Sequence, residues 1–265
     1  MTPGRLELHE SALVGVQLHL ASVFGSYRFD GHYAASTASE YDVEQDLFGA
    51  VRVLGRGQVA ALVPLVETIR SSPPDGYAEG GGVGDINLAA RYDFVVAGES
   101  RVVPGVALLA GLTLPTGTPV ESAHAAVDAT GIGAFQASGA LALEQTFGPW
   151  LVNATAIVAA RTPRFGETLG PQTTLLAAGA YTFPNDLTTA VAVSYQFVPD
   201  AADAHGASVP FSSTRLTTVT LTGLYPVGDA WRLIAGAFVN PPVSGLGSNQ
   251  PAGGGFLFTA VRSWR

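Results

Sequence analysis

Cysteine is absent from the 265-residue chain, which excludes a disulfide scaffold, a thiolate metal site and a cysteine nucleophile. Lysine is absent too, so all 13 basic residues are arginine. Charged residues are only 13% of the chain and the net charge is -8. No basic patch is available to gather counterions from phosphates, which argues against a nucleic-acid partner. Also missing is the run of roughly 18 apolar residues that a spanning helix needs. The longest candidate, "VVPGVALLAGLTL" from Val102, has 13 residues and is broken by Pro104 and Gly105, so a helical membrane protein is not expected.

What is present is alternation. In "GVGDINLAARYDF" (82–94) Asp85, Asn87, Arg91 and Asp93 interleave with Ile86, Leu88, Tyr92 and Phe94. A strand sends successive side chains to opposite faces, so this segment has one polar and one apolar face. Period-two patterns punctuated by turn residues predict twelve strands. They run over 13–29, 41–54, 58–70, 82–94, 101–114, 132–147, 150–161, 173–183, 187–198, 215–225, 231–239 and 256–264. Short turns alternate strictly with longer loops such as "PTGTPVESAHAAVDATG" and "PDAADAHGASVPFSS". A soluble sandwich has no reason for that asymmetry, whereas a transmembrane up-and-down barrel has. The 32 glycines and 17 prolines suit many turns and disfavour long helices. The expected fold class is therefore an all-β, transmembrane antiparallel up-and-down β-barrel of about 12 strands, a single domain over 1–265. Residues 1–12 are read as an N-terminal segment that lies in the periplasm or partly enters the lumen.

Aromatic placement gives an independent signal. Trp150 and Trp231 begin strands at the short-turn end, Trp264 closes one there, and Phe94, Phe147, Phe183 and Tyr225 do the same. These seven residues are expected to form the membrane-interface girdle on the periplasmic side. The start "MTPGRLELHE" lacks the basic and apolar regions of a signal peptide. If exported, the chain is the mature form without its leader.

The parity of the strands assigns the candidate pore lining. Glu40, Asp42, Glu44 and Asp46 share one face of "EYDVEQD". They read as an electrostatic field that attracts cations at the outer mouth, or as a solvated strand end. The same rule sends Arg52, Asp85, Asn87, Arg91, Asp93, Glu144, Arg161 and Arg232 inward, with Gln136, Asn153, Gln196 and Thr218, Thr220 and Thr222. A selective path lined by Asp85, Arg91 and Asp93 and a set of interior salt bridges that hold the barrel are both consistent with this list.

Catalysis and metal binding are not expected. The five histidines are scattered without ligand spacing, and no Gly-x-Ser-x-Gly elbow accompanies Ser36, Ser122 or Ser212. "GGGVGD" resembles a dinucleotide fingerprint but leads into a strand, whereas phosphate binding needs a helix N-terminus. No cofactor is implied, and the expected partners are outer-membrane lipid and a small-molecule solute.

"GVGDINLAARYDF" followed by a returning strand that ends "LTLPTGTP" resembles the outer-membrane channel-like proteins associated with phenol meta-pathway degradation. Their barrels share a Gly-x-Gly-Asp strand and a Leu-Pro-Thr-Gly exit. About 35 residues carry the resemblance. It implies a bacterial outer-membrane pore for passive passage of small, often hydrophobic or aromatic molecules. The alternatives from the residues alone are a non-conducting barrel acting through its outer loops, as an adhesin or structural element, and a rim-sited hydrolase. The C-terminal alternation Phe256, Phe258, Ala260, Arg262, Trp264 fits the outer-membrane targeting pattern apart from Arg262 and the residue that follows Trp264.

Overall fold

The computed structural model describes residues 5–7, 9–72, 76–100 and 102–265, the side chains of 37 and 72 apart. Strands β1 (Ala12–Tyr27), β2 (Tyr33–Val53), β3 (Gly57–Ser72), β4 (Gly76–Val83), β5 (Ile86–Val95), β6 (Gly105–Leu114) and β7 (Gln136–Phe147) form the first part of the wall. They are followed by β8 (Trp150–Arg161), β9 (Gln172–Thr182), β10 (Thr188–Val198), β11 (Thr214–Val227), β12 (Trp231–Val239), β13 (Gly247–Ser248) and β14 (Gln250–Trp264). Each crossing of the wall pairs antiparallel with its neighbours: β3 with both β4 and β5, β12 with β14, and the others in sequence order. The β10–β11 pairing and the β1–β14 pairing, Ala12 opposite Trp264 to Tyr27 opposite Gln250, complete the ring. Closure removes the unpaired edge that an open sheet would expose to lipid.

The fourteen strands make twelve crossings. Residues Gly57–Leu62 of β3 pair with β5 and Leu65–Ser72 pair with β4, so β4 and β5 are one crossing interrupted at Gly84 and Asp85. The backbone N–H of Gly84 donates to the Pro64 carbonyl at 2.8 Å across the break, where a Cβ on Gly84 would lie 2.8 Å from the Pro64 ring. The two-residue β13 is a short addition to the pairing of β11. Short turns form where a left-handed residue reverses the chain, as Gly148 (φ 59) does between β7 and β8.

Alternation decides the faces. Leu88, Tyr92 and Phe94 of β5 point outward and are exposed, while Asp85 and Asp93 are buried inside. Val14, Leu47, Leu108, Leu141, Val158, Leu175, Val191 and Leu221 continue the apolar outer face around the ring. This is the surface that a barrel presents to lipid.

Three strands extend well beyond expectation, all at the long-loop end. Most of the segment "DGHYAASTASE" is strand rather than loop: β2 starts at Tyr33, opposite Tyr27 beyond a bulge between Val23 and Gly25, and only residues 30–32 remain in the turn. Residues 76–81, predicted as loop, belong to strand β4, and β14 starts at Gln250 rather than at 256. These extensions are rich in Gly, Ala and Ser and carry no apolar alternation, as suits backbone pairing above the hydrocarbon, where neither face has to meet lipid. The fifth predicted strand begins only at Gly105, and its expected first residue, 101, lies outside the described residues.

Candidate functional site: the barrel lumen

The N-terminal segment occupies part of the lumen at the short-turn end. Leu6 reaches up from the N-terminal segment and is 4% exposed, packed in an inward apolar cluster with Leu13, Phe48, Ala50, Leu62 and Val261. Its backbone N–H donates to Gln58 Oε1 at 3.0 Å. Arg232 pairs with Glu7 and Glu10, each at 3.1 Å. Arg52 donates through Nε to the Glu10 carbonyl at 2.7 Å, to the Gly55 carbonyl at 2.9 Å, and to the Glu7 carbonyl. Of the alternatives left open for the N-terminal segment, its described part enters the lumen; residues 1–4 and 8 lie outside the described residues. Arg52 and Arg232 face inward and hold that segment.

Above this segment lies a network of opposite charges. Arg91 donates to Asp93 Oδ1 from Nε at 3.0 Å and from Nη2 at 2.7 Å, and to Glu144 Oε1 at 3.1 Å. Arg5 adds a second guanidinium, paired with Glu144 and 3.7 Å from Asp93. Asn153 Nδ2 donates to Glu144 Oε1 at 3.3 Å. Carboxylates taken out of water need such partners, and here each has them.

Neighbouring strands line an internal cavity of about 390 Å3 with amides and hydroxyls, among them Asn87, Thr113, Gln136, Gln172, Thr174 and Gln196. Asn87 Oδ1 accepts from the Thr113 hydroxyl at 2.7 Å. Arg161 donates from Nε to Gln136 Oε1 at 2.7 Å and from Nη2 to Gln172 Oε1. Among the described residues no carboxylate pairs with Arg161.

The acidic row lies on β2. Glu40 pairs with Arg70 at its outer end. Asp42 Oδ1 accepts from the Thr68 hydroxyl at 2.8 Å, Glu44 stands opposite His19, and Asp46 stands opposite Gln17. Asp46 Oδ2 accepts from Gln17 Nε2 at 3.3 Å, and Gln17 Oε1 accepts from the Thr259 hydroxyl at 3.1 Å. The His19 ring stacks on Phe238, with centroids 4.4 Å apart and planes 13° apart.

Asp85 faces inward but has a different task from its neighbours on β5. Its Oδ1 accepts from the Gly117 N–H at 2.9 Å and its Oδ2 from the Ile132 N–H at 2.7 Å. Thr116 Oγ donates to the Gly84 carbonyl at 2.8 Å and accepts from the Ile86 N–H at 3.0 Å. Thr130 Oγ donates to the Val83 carbonyl at 2.8 Å. The Gly-Val-Gly-Asp and Leu-Pro-Thr-Gly segments thus form one joint that pins both ends of the 115–135 loop to the wall. Within it Ala126–Asp128 makes a single 3-10 turn.

The aromatics expected at the membrane interface, Trp150, Trp231, Trp264, Phe94, Phe147, Phe183 and Tyr225, are all exposed. Trp150 packs edge-on against Tyr181, which contacts Phe183 in the same way. The Arg262 guanidinium lies 5.8 Å from the Trp231 ring centroid and 5.2 Å from that of Trp264, so the one residue that departs from the C-terminal apolar pattern sits over two aromatic faces.

Arg5, Leu6, Gln17, His19, Gln58 and Thr259 are absent from the sequence-derived set. For Gln17 and His19 the signal is present in "VQLHL", where both alternate with apolar residues. For Arg5 and Leu6 there is no periodic signal, because they belong to no strand.

Neither a protein-family model nor a curated protein sequence matches the chain. Among solved structures it is similar to an outer membrane channel from Pseudomonas putida F1, at 15% identity and a TM-score of 0.81, over 100% of both chains. It is also similar to the beta domain of the Bordetella autotransporter Brka, at 10% identity and a TM-score of 0.51, over 96% of this chain and 100% of that one. The transport unit of the autotransporter AIDA-I from Escherichia coli gives 8% identity and a TM-score of 0.51, over 98% and 93%. The fold is that of bacterial outer-membrane barrels, the architecture expected from the strand pattern.

Proposed function

We propose that the protein is an outer-membrane channel for passive passage of small molecules. The observation that carries this reading is the internal cavity, lined by amides, hydroxyls and alanines, inside a closed barrel whose outer face is apolar. A wall built only to anchor outer loops has no need of an amide- and hydroxyl-lined space. In this reading Asp42, Glu44, Asp46, Asn87, Arg91 and Arg161 line the path. Asp93, Glu144, Arg52 and Arg232 narrow its lower end by holding the N-terminal segment, and the outward aromatics mark the inner membrane–water interface. Solutes that combine a compact apolar body with a hydrogen-bonding group, phenol-like aromatics included, suit the mixture of alanine, amide and hydroxyl around the cavity. The resemblance to phenol-degradation barrels points to the same class.

A hydrolytic role is disfavoured by how the loop serines are used. Ser122 Oγ donates to the Pro119 carbonyl at 3.2 Å, Ser212 Oγ to the Val209 carbonyl at 2.7 Å, and Ser36 Oγ accepts from the Ala38 N–H at 3.1 Å.

Single-channel conductance of the refolded protein in a planar bilayer, with liposome uptake of phenol and a sugar probe, tests the proposal. Discrete conductance with uptake is expected, and it should rise when residues 1–10 are deleted. A silent bilayer containing a correctly folded barrel, with and without that segment, overturns it.

A further inference from the structure

We infer that the lumen cavity beside Gln136 and Gln172 holds a monocarboxylate with a compact apolar body, with Arg161 as the cation that recognises it. The inference rests on the channel reading of the lumen and names the chemistry of its solute.

The first ground is a positive charge that no side chain cancels. Arg5 and Arg91 line the cavity, and Asp93 and Glu144 pair with both of them, so two guanidiniums meet two carboxylates there. Arg164, on the loop that follows β8, pairs with Glu121 at 3.3 Å. Arg161 has only the neutral side-chain oxygens of Gln136 and Gln172, and among the described residues no carboxylate pairs with it. A guanidinium cannot shed its proton to relieve the charge. Partly withdrawn from water, such a cation gains most from an anion that comes to it.

The second ground is the orientation that Arg161 imposes on its neighbours. Both glutamines line the cavity. Because a guanidinium only donates, each amide must turn its Oε1 to Arg161, which leaves both Nε2 groups as donors to something else. Gln172 Nε2 reaches the Thr174 hydroxyl at 3.4 Å, so that hydroxyl is free to pass its own proton on. Gln136 Nε2 has no acceptor among the described residues. An amide whose oxygen is held by a cation is also polarised into a better donor. A donor-rich wall beside an uncancelled positive charge selects a group with two acceptor oxygens and a negative charge, which a carboxylate is and an alcohol is not.

The rest of the cavity selects the body. Leu109, Ala140, Ile157 and Ala159 line it too, a surface for one aromatic ring or branched aliphatic group. A second carboxylate on the same solute would meet no unpaired cation, since Arg5 and Arg91 are occupied. None of Asp42, Glu44 and Asp46 lines this cavity.

Equilibrium dialysis of the refolded full chain in detergent against radioactive benzoate tests the site. One saturable site per chain is expected, from which benzyl alcohol and phthalate displace the label at least about tenfold less well than unlabelled benzoate. Arg161→Gln should weaken binding at least about tenfold. So should Gln136→Glu, which keeps the guanidinium and sets a carboxylate beside it. Arg262→Gln, which removes the same charge from over Trp231 and Trp264, should change nothing. If Arg161→Gln fails to fold, judged by its circular dichroism, Gln136→Glu decides. Absence of saturable binding up to about 10 mM, ten times a weak Kd of about 1 mM, overturns the inference. So does displacement by benzyl alcohol as effective as that by benzoate, or binding unaltered in the folded Arg161 and Gln136 variants. Benzoate binding by a barrel that conducts nothing sinks the channel proposal alone, and conductance without benzoate binding sinks this one alone.

Discussion

On the β5–β7 side of the lumen Arg91 lies between Asp93 and Glu144, with all three side chains no more than 13% exposed. On β2, Asp42, Glu44 and Asp46 face the same space with no arginine beside them. Both groups obey one parity rule and neither touches lipid. They differ in compensation. A carboxylate whose field is cancelled by a guanidinium a hydrogen bond away contributes to holding the wall together and offers little to a passing solute. One whose field is left open is available to a mobile cation. Inward orientation alone therefore says little about function; the neighbouring strand decides it.

Substitutions sharpen or break this contrast. Arg91→Ala leaves two buried carboxylates with only the half-exposed Arg5 and, for Glu144, the Asn153 amide for support. It should cost about 3 to 5 kcal/mol of stability, read from urea unfolding in detergent; a loss below about 1 kcal/mol would mean that the network is not structural. Asp85→Ala removes two charge-assisted bonds to backbone N–H groups and should cost about 2 to 3 kcal/mol. Limited proteolysis should then cut first within 115–135, and an unchanged cleavage pattern would deny Asp85 its anchoring role. Thr259→Val frees Gln17 from its orienting hydroxyl and should cost about 1 kcal/mol, read from the same urea unfolding; no loss would deny that chain a part in holding Asp46. The double change Asp42→Asn with Glu44→Gln should leave stability within about 0.5 kcal/mol and shift the reversal potential in a salt gradient toward anions. A large loss of stability with unchanged selectivity would place the acidic row in the same structural class as Arg91.

How much of this is legible in the sequence depends on whether the cause is local. Alternation along a strand is local, so the faces of Ile86 to Phe94 and the bounds of β8 and β12 follow from reading residues in order. So does the shared face of Glu40, Asp42, Glu44 and Asp46. The partners are not local. Arg91 and Glu144 are 53 residues apart, and their meeting depends on the intervening β6 bringing β7 close. The upper ends of β2, β4 and β14 escape notice because the periodic signal is imposed by lipid on one side and water on the other, and it fades where both faces are wet. The entry of Arg5 and Leu6 into the lumen leaves no trace in periodicity at all, since their segment belongs to no strand and is held there by side chains from several strands.

Asp85 and the glycines it meets imply a rule of inheritance. Gly117 and Gly131 approach each other so closely that a Cβ on either would fall 2.8 Å from the other's Cα, and one on Gly131 would fall 2.5 Å from Asp85 Oδ1. Strand break, exit turn and loop end therefore form a single part made of three distant stretches. A loop transplanted from another barrel would seat here only if it brought its own small residues to both footings, and a change of Asp85 would have to travel with a change in the loop. The outer surface of this barrel is free to vary between those footings far more than at them.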